Sequence, residues 1–125
     1  MIVGIGIDIT EIKRLGRLLE RQGDQLWERV LAPEERREFG SEKRKVEFLS
    51  GRWAAKEAAS KAFGTGIGQI SFHDLVIHND EAGAPHLTLK GNAIKAAAEK
   101  GINRVHLSIS HSDEYAVAQV ILESV

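Results

Sequence analysis

The first ten residues, Met1-Ile2-Val3-Gly4-Ile5-Gly6-Ile7-Asp8-Ile9-Thr10, decide how the chain folds. Branched apolar residues alternate with small or polar ones, which is the pattern of a strand with two unlike faces. We expect the branched residues to form the core face, and these are Val3, Ile5, Ile7 and Ile9. The opposite face is predicted to be a bare, glycine-lined groove with one carboxylate, Asp8, beside it. Two interpretations of Asp8 stay open: a ligand for a metal ion or phosphate-bearing molecule, or an edge-strand aspartate that leads into a helix cap.

The composition indicates one domain with a modest core. The chain has 125 residues, 42% hydrophobic and 28% charged, with a formal net charge of −1, so residues 1–125 are expected to form a single domain. This charge excludes a strongly basic nucleic-acid binder. The absence of cysteine excludes disulfides, thiolate zinc sites and a cysteine nucleophile. No apolar stretch approaches the ~20 residues of a membrane span and no signal-peptide pattern opens the chain, so a cytoplasmic protein without a membrane partner is expected.

The order of predicted elements indicates an α+β fold. Capping residues, glycine stops and apolar periodicity define each element. Helices are predicted over 11–22 (capped by Thr10), 42–63 (capped by Ser41 and stopped by Gly64) and 91–100. Between the first two lie a short segment over 25–31 and a turn of helix over 34–39, which Pro33 opens and Gly40 closes. Strands are predicted over 1–10, 74–78, 86–89, 104–111 and 115–122. Consecutive strands with short connections predict an antiparallel sheet, against which the helices, including the long one over 42–63, would pack.

A second carboxylate stands out on the long predicted helix. Val46, Leu49 and Trp53 fall on one stripe at about 100° per residue, and Glu57 lies on the same stripe. A glutamate on a core-facing line is costly unless it is paired or bound to a metal ion. Lys61, one turn further on, would complete an ordinary Glu-to-Lys helix pair. Both interpretations of Glu57, a surface salt bridge and a functional carboxylate, therefore stay open.

The last two strands add hydrogen-bonding groups. Val105, Leu107 and Ile109 share one face of the predicted strand over 104–111, and the opposite face carries His106, Ser108 and Ser110, with His111 at the strand end. In so small a protein this polar face is either solvent-exposed or part of a site. No pair of histidines has a spacing typical of zinc. Oxygen ligands from Asp8 and Glu57 would instead favour magnesium.

Basic residues are concentrated on two predicted helices. The long helix carries Lys43, Arg44, Lys45, Arg52, Lys56 and Lys61. Lys45 and Lys56 are interpreted as parts of a solvated face. The first helix carries a stripe formed by Lys13, Arg14, Arg17 and Arg21. The Gly64-Thr65-Gly66-Ile67-Gly68 loop follows a helix and lacks the lysine-serine or lysine-threonine pair of a P-loop, so helix termination is its expected role.

Three segments together resemble a known family. They are Gly4-Ile5-Gly6-Ile7-Asp8-Ile9, Arg52-Trp53-Ala54-Ala55-Lys56-Glu57-Ala58-Ala59-Ser60-Lys61-Ala62 and Leu107-Ser108-Ile109-Ser110-His111. In this order and at these separations they resemble the holo-(acyl carrier protein) synthases, the short bacterial type of 4'-phosphopantetheinyl transferase. Each segment alone is a weak signal, whereas the combination is specific and covers nearly the whole chain.

The resemblance implies an activity and an assembly. The activity is transfer of the 4'-phosphopantetheine arm of coenzyme A to a serine of apo acyl carrier protein, which releases adenosine 3',5'-bisphosphate and supports fatty acid biosynthesis. The resemblance also implies Mg²⁺ at Asp8 and Glu57, and a homotrimer whose active sites lie between neighbouring subunits. The glycine-lined face of the first strand would then give room to the ligand or a neighbouring subunit.

The same resemblance suggests roles for single residues. Asp8, Glu57 and Lys61 would be catalytic, with Lys61 neutralising charge on the phosphates. The proton of the acceptor serine would pass to a magnesium-bound water, Glu57 or His111. Candidate contacts to coenzyme A are Lys43, Arg44, Arg52, Lys61, Gly64, Pro85 and His106. Arg14 and Arg21 would dock the acidic carrier protein.

Two other functions remain open at this stage. Another magnesium-dependent phosphate enzyme would release phosphate or cleave coenzyme A without an acceptor protein. A non-catalytic module would bind an acidic partner through the basic helix and would tolerate loss of Asp8 and Glu57.

Overall fold

The computed structural model describes all 125 residues, Met1–Val125. The strands are β1 (Ile2–Glu11), β2 (Leu75–Asn79), β3 (Pro85–Leu89), β4 (Arg104–His111) and β5 (Tyr115–Glu123), and the helices are α1 (Ile12–Gln22), α2 (Asp24–Val30), α3 (Glu42–Phe63) and α4 (Gly91–Lys100). This order confirms the predicted α+β class. No helix combines the length and the apolar composition that a membrane span requires.

Strand β1 presents the opposite face to the core from the one predicted. Its glycines pack against the backbone of α3, and its isoleucines are exposed, with Ile7 54% and Ile9 64% accessible. A β-carbon on Gly4 would overlap the carbonyl oxygen of Ala62, and one on Gly6 would overlap that of Ala58. The glycines are therefore present because strand and helix backbones touch. The predicted open groove, with room for a ligand or neighbouring subunit, is wrong.

Two sheets cover α3. The larger has the order β1-β5-β4, all antiparallel, and β2 and β3 form a separate hairpin. Gly6 pairs with Val120, which pairs in turn with Leu107, so these three residues share the face turned to α3. This face forms the main core together with the alanines of α3, Phe63, and the alanines of α4.

A second core lies between α1, α2 and α3, built around Leu15, Leu26 and Leu49. Local signals placed most of its elements correctly. Ser41 Oγ accepts the Arg44 N–H at the start of α3, and Gly64, with a φ of 80°, ends it in the left-handed conformation.

Two predicted helix features near this core are wrong. The turn of helix predicted over 34–39 is a 3-10 turn over Pro33–Glu35, and the chain runs extended from Arg36 onward. Thr10 does not cap α1, because β1 continues to Glu11 and the Thr10 hydroxyl donates to Asp8 instead.

Because β1 and α3 pack backbone to backbone, Gly6→Ala should destabilise the protein by about 3 kcal/mol, since a rigid carbonyl cannot move aside for the new methyl group. Gly40→Ala is the matched control: nothing lies within 4 Å of its added β-carbon, and it should change the free energy of unfolding by no more than about 0.5 kcal/mol. Urea unfolding followed by circular dichroism measures both. Equal stabilities for the two variants would contradict the packing described here.

Candidate active site

The predicted catalytic residues Asp8 and Lys61 meet where β1 crosses the end of α3. Lys61 Nζ lies 3.0 Å from Asp8 Oδ1 and also donates to the Ile7 carbonyl at 3.1 Å. The second carboxylate oxygen of Asp8 accepts the Thr10 hydroxyl at 2.7 Å. Asp8 is therefore held by one charged and one neutral donor, with only 15% of its side chain exposed.

Glu57 stands one turn before Lys61 on α3, yet the two do not form the helix pair that was one open interpretation. Lys61 reaches Asp8 instead, and the Glu57 carboxylate has no hydrogen bond or ion pair within the chain. Partial burial raises the pKa of Glu57, and the negative charge of Asp8 raises it further, against the opposing effects of Lys61 and Arg14. Glu57 thus has cations nearby but no direct ion pair, and the nearby charge of Asp8 makes its ionised form less favourable.

The two carboxylates fit a magnesium ion by the chemistry of their donors. Mg²⁺ is commonly held by one or two carboxylates and completes its shell with waters and substrate phosphates. No three or more histidine, aspartate or glutamate side chains are grouped so that they could hold a metal ion, so an ion at Asp8 and Glu57 would need further ligands from water or substrate. A divalent cation at Asp8 and Glu57 would relieve the charge repulsion that raises the Glu57 pKa.

A separate cavity of about 350 Å³ lies on another side of α3 and is rich in arginine. Its lining includes Arg37, Arg44 and Arg52, with Glu47 as the single carboxylate. Arg44 and Arg52 were predicted from the sequence as phosphate contacts, and the structure brings them together here. Arg37 was not predicted, because it follows a 3-10 turn that the sequence suggested was helix.

Arg52 is the most deeply buried arginine that lines this cavity. Only 8% of its side chain is exposed, its Nη2 donates to Asn79 Oδ1 at 2.8 Å, and its guanidinium lies 4.5 Å from the centre of the Phe48 ring. Burial lowers the pKa of Arg52 to about 10, and Arg37 adds to this effect while Glu35 opposes it. Arg52 therefore remains charged at neutral pH but is poorly solvated.

The prediction that Lys56 belongs to a solvated face is wrong. Its side chain is fully buried, and its Nζ donates to Glu35 Oε1 and the Val30 carbonyl at 2.6 Å and to the Phe72 carbonyl at 3.0 Å. Burial lowers the pKa of Lys56, and Glu35 opposes that effect. The sequence did contain an indication of this burial: alanine pairs stand on both sides of Lys56, and such small residues indicate a helix that is packed against other elements on all sides.

The other predicted coenzyme A contacts are scattered within one chain. Lys43 is exposed outside the arginine cavity, and Gly64 ends α3. Pro85 pairs with Asn79, which binds Arg52, so it lies close to the cavity. His106 is on the outer face of the sheet, 2.9 Å from Glu123. One chain therefore does not gather all these residues around a single ligand.

The basic residues predicted for docking lie exposed on α1. Arg14 places its guanidinium 5.8 Å from the Trp53 ring centre and acts electrostatically on Glu57. Arg21 is exposed in the last turn of the helix. Arg17 pairs with Glu11 at 3.3 Å on the surface. The helix thus presents positive charge beside the carboxylate pair.

Comparisons with known proteins agree with this arrangement. Residues 4–120 match the model of the 4'-phosphopantetheinyl transferase superfamily. A protein of Vibrio parahaemolyticus named holo-[acyl-carrier-protein] synthase is 51% identical over 124 residues, which is 98% of each chain. A protein of the same name from Anoxybacillus flavithermus is 53% identical over 126 residues, 98% of this chain and 97% of that one.

Solved structures show the same similarity. A Bacillus anthracis holo-(acyl-carrier-protein) synthase crystallised with coenzyme A (3',5'-ADP) is 46% identical, with a TM-score of 0.81 over 100% of this chain and 99% of that one. The Neisseria meningitidis synthase is 40% identical, with a TM-score of 0.89 over 99% of this chain and 100% of that one. The chain belongs to the 4'-phosphopantetheinyl transferase superfamily. Within it, the similar proteins named here are holo-(acyl carrier protein) synthases.

The raised pKa of Glu57 gives a prediction for stability without metal. Its folded-state pKa lies above the ordinary value of 4.5, so the folded state holds this proton more tightly, and stability falls as pH rises from about 4.5 through the folded-state pKa. In EDTA, Glu57→Gln should therefore melt at a higher temperature than the unsubstituted protein at pH 8, with the difference vanishing at pH 4.

Adding Mg²⁺ should reverse the order at pH 8, because the unsubstituted protein gains stability from binding, whereas the carboxamide of the Glu57→Gln variant binds the ion poorly. Differential scanning calorimetry with and without Mg²⁺ measures both effects. If the two proteins melt alike at pH 8 and respond alike to Mg²⁺, Glu57 is not part of a cation site.

Proposed function

We propose that this protein transfers the 4'-phosphopantetheine group of coenzyme A to a serine of apo acyl carrier protein and releases adenosine 3',5'-bisphosphate. The observation that carries this proposal is the meeting of Asp8, Glu57 and Lys61 at the crossing of β1 and α3, within a chain that matches the transferase family over residues 4–120. The Bacillus anthracis relative with coenzyme A supports coenzyme A as the donor.

The roles of the three residues follow from their chemistry. Asp8 and Glu57 would hold Mg²⁺, which when bound neutralises charge on the pyrophosphate of the donor. Lys61 already lies 3.0 Å from Asp8, and its ammonium would stabilise the negative charge on the leaving phosphate. The nucleophile is the serine hydroxyl of the carrier protein, so no serine of this chain is required for it.

The proton of that serine needs an acceptor. Glu57 is less basic when it serves as a ligand, so we propose water at the carboxylate pair. His111 of the same chain is poorly placed, because it pairs with Ala116, which pairs in turn with Thr10. Two strand spacings put it about 10 Å from β1.

The donor site would be shared between chains. Arg52 and Lys61 are nine residues apart on α3, which turns them about 180° away from each other at 100° per residue. One coenzyme A molecule therefore cannot easily reach both on the same chain. We propose that the carboxylate pair of one subunit and the arginine cavity of its neighbour bind the donor together, with Lys43, Gly64, Pro85 and His106 as further contacts.

The exposed face of the larger sheet is the surface that we propose for this assembly. Ile5, Ile7 and Ile9 are each more than half exposed. Tyr115, Val117 and Ile121 lie beside them on β5. This sheet face is largely apolar, with Gln119 opposite Ile7 as the polar residue among them, and an exposed apolar surface of this kind is typical of an interface between chains. A homotrimer, in which three such faces close around an axis, satisfies the need for a shared site.

The carrier protein would dock on α1. Acyl carrier proteins are acidic, and Arg14 and Arg21 are exposed on the helix that follows directly from the strand bearing Asp8. Such a positive surface beside the reaction centre accelerates encounter and sets orientation.

A mass measurement tests the transfer. Incubation with apo acyl carrier protein, coenzyme A and Mg²⁺ should add one phosphopantetheine mass to the carrier, and EDTA should prevent the gain. Asp8→Asn should lower the rate at least about 100-fold, because it removes a charged ligand of the site. Glu81→Ala removes an exposed turn carboxylate and should not change the rate. Release of phosphate without a carrier adduct would instead indicate a hydrolase.

A substitution that introduces one charge tests the proposed trimer interface. Ile5→Glu buries a carboxylate in the interface and should reduce the mass measured by light scattering from three times the chain mass of 13.8 kDa towards one. Transfer activity should fall with it. Ile94→Glu is the matched control, because Ile94 on α4 is 54% exposed and Ile5 57%. A trimer that survives Ile5→Glu would rule out this face as the interface.

A further inference from the structure

Arg52, which lines the arginine cavity, belongs to a buried cluster that holds more positive than negative charges. Glu35, Lys56 and Arg52 lie together, with the first two side chains fully buried and the third 8% exposed. Two cations thus share one carboxylate, and the cluster carries a net charge of +1. Such an excess is costly in a poorly solvated place unless an anion balances it.

The two cations lie at different distances from the Glu35 carboxylate. Lys56 Nζ is 2.6 Å from Glu35 Oε1, whereas Arg52 Nε is 3.9 Å from Oε2. The remaining capacity of the carboxylate is used by backbone N–H groups, those of Ala32 at 2.9 Å and Ile77 at 3.2 Å. Both oxygens of the Glu35 carboxylate therefore already accept hydrogen bonds, and neither accepts one from Arg52.

Lys56 cannot itself contact a ligand. Its ammonium has three acceptors, Glu35 and the carbonyls of Val30 and Phe72, which match its three protons. Its side chain has no exposure and does not line the cavity. Any effect of Lys56 on binding must act through its neighbours.

Arg52 has unused donors. Its Nη2 is bonded to Asn79, but its buried Nε has no hydrogen-bond partner. The other charges nearby do not balance it: Arg37 adds positive charge, and Glu34 pairs with Lys90 at the surface. The carboxylate of Glu47 lines the same cavity but makes no ion pair with Arg52.

We propose that Lys56 is a positioning residue of the donor site: by neutralising Glu35, it prevents that carboxylate from capturing Arg52 and so leaves the guanidinium free for a phosphate of the donor. This inference rests on the proposed function. Without Lys56, Glu35 and Arg52 would form a one-to-one buried pair, because arginine binds carboxylates strongly through two parallel hydrogen bonds. The cavity would then lose its excess positive charge.

Two substitutions that break the same ion pair distinguish this role from a structural one. Lys56→Met leaves Glu35 charged and free to take Arg52, and should weaken binding of adenosine 3',5'-bisphosphate about tenfold, the value of one charge-assisted hydrogen bond. Glu35→Gln removes the competitor of the phosphate and should bind the nucleotide at least as tightly as the unsubstituted protein. Both variants should melt at lower temperatures.

The measurement is isothermal titration calorimetry on the assembled protein, below the melting temperature of each variant. In an Arg52→Gln background, Lys56→Met should cause no further loss of affinity, since the two residues act through one contact. In the transfer assay, Lys56→Met should raise KM for coenzyme A and leave kcat nearly unchanged.

The outcomes separate this inference from the proposed function. If both single variants lose affinity by a similar factor, or if Lys56→Met binds normally, the positioning role is wrong while the transferase function stands. If the unsubstituted protein neither binds the nucleotide nor transfers phosphopantetheine, both are overturned. Should Lys56→Met fail to fold, Glu35→Gln still decides, because a structural role predicts weaker binding for it as well.

Discussion

The close contact between the backbones of β1 and α3 is the constraint on which the remaining structure depends. It exists because Gly4 and Gly6 present no side chain to the carbonyl oxygens of Ala62 and Ala58. The same approach brings Asp8 to Lys61 and near Glu57. It also turns the isoleucines of β1 outward, so one packing contact creates both the carboxylate site and the apolar surface.

Most elements were predictable because their signals are local. Ser41 and Gly64 bound α3, and Gly101 ends α4, so both helices occupy the predicted ranges. The orientation of β1 was not predictable in this way. Alternation separates two faces but does not say which is buried, and isoleucine normally favours the core. The tertiary contact with α3 makes the glycine face the inner one.

The residues of the site were also predictable where local sequence identified them and unpredictable where distant contacts did. Asp8 and Glu57 were singled out because each is a carboxylate on an apolar pattern, and the structure places both at one crossing. Lys56 was misjudged because its partners are distant in sequence: Glu35 is 21 residues away and Val30 26. Periodicity along α3 carries no information about those partners, so a buried cation there resembles a surface one.

The bonds of Lys56 also affect how the molecule can open. Its ammonium ties α3 to the end of α2, to the turn at Glu35 and to the segment before β2. Detaching the turn at Glu35 would separate the buried Lys56 ammonium from its only carboxylate partner, and detaching either of the other two segments would remove a hydrogen bond from that ammonium. Partial opening there should therefore be nearly as unfavourable as global unfolding, and backbone amides such as that of Ile77 should exchange their hydrogens only when the whole domain unfolds. The arginine cavity and the fold would then be gained and lost in a single cooperative event.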